Sequence, residues 1–544
     1  MATYSVWSMR PLCAQKKTVF EAIRRARFET NSRRLATIVK HQTRVDENIK
    51  EKLENKDVKH KRHEGVQGVG TVILPKILVK SLKNYMQGQP VKQLQPHADA
   101  MARYLWCRKR PVEETDIKKQ AREYAEKLGV ADIDEDSEIE VPKESKKKMT
   151  TVMRKLKQHL YNWQPIKYDE TKPMTYLLAR LAPNYAVTYR VLNEIKKRVP
   201  DFRPQAVLDF GSGLGSTVWA TDVLWKNSIQ QFYCVDTSKD MHNLAEDILC
   251  GGSKEENKPY LDTVFFRHFL PIGSRVTFDL TVSAYALLEL PNKQERLKTI
   301  ENLWNKTDQF LVLIENGTFE GFLALMEARD FVMAQREKEQ SVDGEDRLQE
   351  ERNTLGLNTQ VGHVFAPCQH DHACPVLNKG TKVPCNFEQK FFSELLGNSA
   401  VPSRERFSYI VLRKGDRQTK DAHWPRITQP VMPRSKHVVC QLCCANGQLE
   451  QATITKTKHG RDLYRCARTS SWGDLLPISR SEGDMLPVTE QTKSDNKELL
   501  HSIEMNEMEQ SENGLDNERT ISQEGHSNEQ VNEIVAHDSP VERR

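Results

Sequence analysis

The run Ala206-Val207-Leu208-Asp209-Phe210-Gly211-Ser212-Gly213-Leu214-Gly215-Ser216 constrains this chain more than any other stretch. A short apolar segment carries an acid and is followed by glycine at every second position. A helical pattern begins near Thr217. That order predicts a strand, a tight turn and a helix. Glycine admits positive φ and lets a ligand approach the backbone, and the free N–H groups of a helix start then face that ligand. The spacing departs from the dinucleotide fingerprint G-x-G-x-x-G, and no Lys-Ser/Thr follows as a phosphate loop requires. A second acid, Asp236, closes the run Gln231-Phe232-Tyr233-Cys234-Val235, 27 residues after Asp209. An acid there can accept hydrogen bonds from a ribose diol.

The surrounding pattern alternates. Strands are expected at 206–210, 231–236, 263–266, 278–284, 309–315 and 408–412, with helices at 217–227, 240–250, 287–304 and 322–336. The 278–284 run is almost continuously apolar, as a strand buried on both faces requires. Strands alternating with helices predict an α/β fold with a doubly wound, mostly parallel sheet. The amphipathic stretch Thr171 to Val199 precedes it, and Pro183 is expected to bend or divide that helix. The glycine loop with its spaced acid resembles the first motif of class I S-adenosylmethionine-dependent methyltransferases. That resemblance implies a cofactor site on Asp209, Gly211, Gly213, Gly215 and Asp236. The catalytic position is bare: Val282 to Leu290 contains neither Asn/Asp-Pro-Pro-aromatic nor a cysteine nucleophile. Tyr285 and Glu289 are left as substrate contacts, or as packing and capping groups.

Charge is divided along the chain. The formal net charge is +6, but Ser481 to Arg544 holds 16 acids against 5 Lys/Arg, a net of −11 that leaves +17 on residues 1–480. A folded portion that basic suits a polyanion such as nucleic acid. The polar acidic tail is expected to be disordered. No acid precedes Glu21, and arginines are scattered through the start, as in a mitochondrial transit segment; a plain basic tail is the alternative. No run of 18 apolar residues occurs, so no transmembrane helix is expected. Residues 30–70 should be exposed helix or disorder. Residues 72–165 should form a helical region with charged linkers.

Seven of the eleven cysteines fall between Cys368 and Cys466. Cys368, Cys374 and Cys385 are spaced C-x5-C and C-x10-C, and prolines at 367, 375 and 384 stiffen the loop that carries them. Three thiolates at this spacing can converge on one centre. The fourth ligand could be Cys440, Cys443, Cys444 or Cys466, or a histidine among His363, His370 and His372. Zinc and an iron–sulfur cluster both fit such a set, as do buried, unligated thiols. Beyond it, Val438 to Lys456 predicts a β-hairpin turning at Asn446-Gly447. Lys456 to Arg468 interleaves basic residues with Tyr464, which suits RNA phosphates and stacked bases.

Together these pieces are specific. They are Arg180 to Tyr185, the Asp209 loop, Ala286 to Leu290, and Pro367-Cys368-x-His370-Asp371-x-x-Cys374-Pro375 with Cys385-x-Phe387. Arg468-x-x-x-Trp472-Gly473-Asp474 completes the set. The chain resembles the mitochondrial small-ribosomal-subunit methyltransferase-like family over roughly residues 70–480. The resemblance implies an assembly factor in the mitochondrial matrix, bound to the small ribosomal subunit, its rRNA and ribosomal proteins. It implies a [4Fe–4S] cluster on Cys368, Cys374, Cys385 and Cys443, with S-adenosylmethionine binding kept and methyl transfer lost. Arg461, Arg465 and Arg468 would face rRNA phosphates. An active rRNA methyltransferase, with Tyr285 and Glu289 holding a base, is the competing reading. The expected organisation is a transit segment at 1–30, a charged helical region at 31–165, and a methyltransferase-like domain at 166–415 interrupted by the cysteine insertion at about 337–395. A basic β module at 416–480 and the acidic tail at 481–544 complete it.

Overall fold

A computed structural model describes residues 42–113, 117, 163–169, 171–253, 257–273, 276–341, 361–393, 401–417 and 423–481. The chain divides into two compact units, Met1–Gln42 with Arg480–Arg544, and Thr43–Ser479. The second unit carries all three hydrophobic clusters among the described residues. The transit segment, residues 118–162 of the expected helical region and the acidic tail after residue 481 lie outside the described residues.

The elements run α1 (Glu47–Glu54), β1 (Thr71–Val72), α2 (Lys76–Tyr85), α3 (Val91–Trp106) and α4 (Lys172–Arg198). Then come β2 (Ala206–Phe210), α5 (Ser216–Trp225), β3 (Gln231–Val235), α6 (Lys239–Leu249), β4 (Val264–Arg267) and β5 (Phe278–Ala284). They continue with α7 (Lys293–Asn305), β6 (Thr307–Asn316), α8 (Phe319–Ser341), β7 (Gly362–Ala366), α9 (Pro375–Asn378), β8 (Phe387–Phe391) and β9 (Ser403–Lys414). A smaller sheet comes next, with β10 (Arg426–Ile427), β11 (Met432–Pro433), β12 (His437–Cys443) and β13 (Leu449–Thr455). After these come the short α10 (Lys456–His459) and α11 (Arg461–Thr469).

The nine-stranded sheet has the order β1-β8-β9-β6-β5-β2-β3-β4, with β7 also paired to β9. Strands β4, β3, β2, β5 and β6 are mutually parallel, and β9 is antiparallel to β6. This is the doubly wound α/β sheet of methyltransferase-like proteins. Period-two alternation splits its side chains between two cores. Phe310, Val312 and Ile314 of β6 pack under α4, α5 and α6, while Leu311 and Leu313 pack under α7 and α8. Strand β9 is twelve residues long, and its outer edge is shared. Residues 403–407 pair with β8, and residues 411–414 pair with β7. The cysteine loop between β7 and β8 therefore emerges from a gap in one edge position.

Three expectations need correction. Pro183 does not divide α4, which is one 27-residue helix with Pro183 inside it. A helix-interior proline costs about 3 kcal/mol, but α4 is buried along most of its length and that burial keeps it continuous. The helix expected over 287–304 is interrupted: Leu287–Glu289 forms a single 3-10 turn, and α7 starts afresh with the Asn292 side chain accepting from Glu295 N at 2.8 Å. The module after residue 416 is not purely β. Arg461–Thr469 is a helix packed on the hairpin through Leu463 and Ala467.

One buried carboxylate joins the module to the large sheet. Glu194 of α4 accepts from Arg426 Nη2 at 2.5 Å, Arg198 Nη1 at 3.0 Å and the Tyr409 hydroxyl at 2.8 Å. Arg426 is 1% exposed; its Nε donates to the Pro367 carbonyl at 2.8 Å and its Nη1 to the Gly473 carbonyl at 2.7 Å. Burial alone would raise the Glu194 pKa, but Arg426 and Arg198 hold it down at about 2. A carboxylate depressed from 4.5 to about 2 contributes stability above its unfolded value and loses it as pH falls through that interval. Arg426→Met is expected to destabilise the protein by about 3–5 kcal/mol at neutral pH, because it strands a buried charge. Urea unfolding would show the loss shrinking between about pH 4.5 and 2; an unmoved midpoint would remove the pair from this role.

Candidate functional site

The glycine loop joins β2 to α5. Gly211, Gly213 and Gly215 have φ of 71°, 48° and 75°. At Gly211 a Cβ would lie 2.6 Å from that of Ala286, so only glycine fits against the end of β5. Asp236 braces the loop: its two oxygens accept from Gly213 N and Ser238 N, each at 2.9 Å. Asp209 is buried beneath it. Burial pushes its pKa up to about 7, while a hydrogen bond with Thr217 pulls the other way. One Asp209 oxygen and the Ser212 hydroxyl are buried with no hydrogen-bond partner among the described residues. Those polar atoms, beside a loop of left-handed glycines, fit a polar cofactor at this position.

The acceptor side of this loop is closed. Tyr285 adopts φ +61°, a left-handed conformation that costs a non-glycine residue about 1–2 kcal/mol. Its ring lies 4.8 Å from the Arg180 guanidinium, and Arg180 pairs with Glu405 at 2.9 Å. Glu289 accepts from the Tyr168 hydroxyl at 2.7 Å, and burial raises its pKa. Residues 163–169 strap this edge. Trp163 Nε1 and Arg108 Nε both donate to the Leu288 carbonyl at 3.1 Å, and the Ser238 hydroxyl donates to the Tyr168 carbonyl at 2.6 Å. The cavity left among Leu105, Arg108, Arg180, Tyr285, Glu289 and Asn316 is about 20 Å³. That is room for about one water.

The cysteines form a second site. Cys368 follows β7, Cys374 caps α9, Cys385 precedes β8, and Cys443 ends β12. The ligand atoms of Cys368, His370 and Cys443 lie within 4.8 Å of one another, and His370 Nε2 is 3.3 Å from Cys443 Sγ. Cys374 and Cys385 are close enough to feel the Cys368 charge. The thiol–thiol hydrogen bond with Cys443 holds the Cys368 pKa well below its ordinary value and pushes that of Cys443 up, and burial pushes Cys374 up to about 11. Two buried guanidiniums stand nearby. Arg329 donates to the carbonyls of Asp371, at 2.9 Å, and His372. Arg426 is the other, hydrogen-bonded to Pro367 beside Cys368.

Of the candidates for a fourth thiol, Cys443 is the one brought to the other three. Cys440 and Cys444 point into the core of the small sheet, and burial lifts Cys440 and Cys466 to about 12. His363 Nδ1 is tied to the Gly415 carbonyl at 2.8 Å, and His372 stacks on His370. The predicted hairpin turn lies against this loop: at Gly447, φ 75°, a Cβ would meet that of His372 at 2.9 Å. Three buried thiols and the half-buried Cys385, one of the four favouring the thiolate and with arginines to offset charge, fit a four-thiolate centre; His370 among them also fits zinc held by three cysteines and one histidine.

Arg461, Arg465 and Arg468 form an exposed stripe on α11, opposite the buried Leu463, Cys466 and Ala467. Tyr464 is not free for stacking. It is half-buried, and its hydroxyl and ring are met by Arg468, at 3.2 and 5.9 Å.

Comparison with known proteins adds the family. The pattern of the mitochondrial small ribosomal subunit Rsm22 family matches residues 170–342 and 338–477. The ribosome assembly protein METTL17, mitochondrial, of Homo sapiens is 39% identical over 82% of this chain and 91% of its own length. The Rsm22-cox11 tandem protein 2, mitochondrial, of Schizosaccharomyces pombe is 27% identical over 60% of this chain and 47% of its own. The ribosome assembly protein RSM22, mitochondrial, of Saccharomyces cerevisiae is 22% identical over 54% and 65%. The magnesium protoporphyrin IX methyltransferase of Synechocystis PCC 6803 overlays 55% of this chain at 13% identity and TM-score 0.21, too low to carry weight, so the fold rests on strand order.

Asp209 supplies a test of the glycine-loop geometry. A carboxyl raised from 3.8 to about 7 costs stability as pH rises through that window, by about 4 kcal/mol at full ionisation. Asp209→Asn should flatten the fall in thermal midpoint between about pH 4 and 7. Parallel profiles for the two proteins would contradict the burial argument.

Proposed function

The chain belongs to the mitochondrial small ribosomal subunit Rsm22 family, and from that premise we propose that it is an assembly factor of the mitochondrial small ribosomal subunit. It works in the matrix, in contact with small-subunit rRNA and ribosomal proteins, and supports mitochondrial translation. The observation that carries this reading is the position of the four thiols. Cys368, Cys374 and Cys385 come from the loop of the large sheet and Cys443 from the small module whose α11 bears the basic stripe.

In this reading Cys368, Cys374, Cys385 and Cys443 hold a [4Fe–4S] cluster. The cluster would fasten the loop from the gap beside β9 to the end of β12, and so fix how α11 is offered to rRNA. Asp209, Gly211, Gly213, Gly215 and Asp236 would hold S-adenosylmethionine, whose chemistry is an electrophilic methyl group. The chain's own residues give that methyl nowhere to go. Tyr285 is packed on Arg180, Glu289 is engaged by Tyr168, and the space between them takes about one water. The methyltransferase-like domain is then a shaped platform that does not transfer methyl groups.

Metal and sulfide analysis of anaerobically purified protein tests the centre. About four irons with matching sulfide are expected, lost in Cys374→Ser; a single zinc and a colourless protein would replace the cluster by a structural clip. Gradient sedimentation of mitochondrial extract tests the role. The protein should travel with small-subunit precursors, and Cys374→Ser should shift it towards free protein. Methyl transfer to small-subunit rRNA by the purified protein, abolished in Asp209→Ala, would overturn the non-catalytic reading.

A further inference from the structure

The basic stripe of α11 does not stand alone. The loop Lys59-His60-Lys61-Arg62 crosses the same helix. His60 Nε2 pairs with Asp462 at 2.8 Å, and Thr469 Oγ1 lies 3.2 Å from the His60 carbonyl. Asp462 and Thr469 are seven residues apart, about 10 Å along a helix. The loop is therefore held at both ends of α11. Lys59, Lys61 and Arg62 are exposed, as are Arg461, Arg465 and Arg468. Lys456 and Lys458 on the preceding turn and Arg434, whose carbonyl accepts from Arg468, are also exposed. Among the described residues, none of Lys59, Lys61, Arg62, Arg461 and Arg465 has a carboxylate partner; Asp462 is taken by His60 and Glu64 by Lys52. Surfaces normally intersperse the two signs of charge, so an uncompensated cluster this dense points to an anionic partner.

The chemistry of the face narrows the partner. Binding to unpaired RNA relies on aromatic side chains that stack with bases. Tyr464 is covered by Arg468, and the remaining side chains here are cations that meet phosphate. Double-helical RNA is bound through shape and backbone contacts, largely without regard to sequence.

We infer that the loop Lys59–Arg62 and the α11 stripe form one composite face that grips the phosphate backbone of double-helical RNA. This rests on the rRNA-binding reading and extends it to a second, N-terminal element and to one form of RNA. His60 is a positioning residue: it fastens the loop to α11 through Asp462 and adds no phosphate contact of its own.

The test uses the full chain and a fluorescent RNA duplex of about 20 base pairs, with an unpaired oligouridine as competitor, over a series of salt concentrations. The triple variant Lys59→Ala, Lys61→Ala, Arg62→Ala should weaken duplex binding at least tenfold. It should also lower the slope of log affinity against log salt by about two, since each lost phosphate contact releases fewer counterions. The triple variant Arg461→Ala, Arg465→Ala, Arg468→Ala should do the same. His60→Ala should weaken binding severalfold although the basic loop keeps its lysines and arginine. Circular dichroism and thermal midpoint near those of the parent would exclude unfolding as the cause. If the arginine variant loses affinity and the loop variant does not, the composite face is wrong and the rRNA reading stands. If neither variant moves the slope, both fall. Equal affinity for oligouridine would overturn the preference for duplex.

Discussion

The structure turns on the buried carboxylate of Glu194. Three donors from separate parts of the chain meet it: Arg198 one turn along the same helix, Tyr409 on β9 and Arg426 on β10. Arg426 then reaches the carbonyls of Pro367 and Gly473. One ion-pair cluster thus locates α4, the antiparallel end of the sheet, the approach to Cys368 and the close of the small module. A buried ion pair adds little net energy over a well-packed apolar equivalent. Its value here is directional: a guanidinium with defined donor vectors sets one register where apolar surfaces could slide.

Around that joint the two candidate sites differ in kind. The glycine loop keeps the backbone of a cofactor site, with left-handed glycines and buried acids, yet its acceptor side is packed with the protein's own arginine, tyrosine and glutamate side chains. The cysteine site is the reverse. Its thiols come from a loop and a hairpin far apart in the chain, so whatever holds them also holds the segments that bear them. In the first site the scaffold shapes the ligand's environment; in the second a ligand would complete the scaffold.

Much of the fold was legible because it depends on local chemistry. The run 278–284 alternates apolar residues with Thr281 and Ser283 and forms a strand buried on both faces from Leu280 to Ser283. Asn446-Gly447 turns a hairpin because a glycine there accepts φ 75°. The glycine loop and Asp236 fall where their spacing puts them. What escaped the sequence depends on partners distant along the chain. Arg426 sits in a basic stretch and looks like a surface residue; nothing local says that Glu194 waits for it, 232 positions away. Pro183 carries a strong local signal against a continuous helix, which burial overrides. The pairing of β7 and β8 along one edge of β9 cannot be read from two short apolar runs. Tyr464 read as an exposed aromatic because the arginine that covers it is four residues on, a neighbour only once the segment is helical.

The contacts that close the basic face span nearly the whole described chain. His60 meets Asp462, and the amides of Gln67 and Gly68 meet Asp474, across 402 to 407 positions. Contacts of such separation bear a large loop-closure entropy and form late. A polypeptide made from its N-terminus holds residues 59–68 long before residue 474 exists. The loop and helix can therefore meet only after the intervening sheet has been laid down. Their junction acts as a seal on a finished molecule, and partly folded chains lack the complete cationic surface.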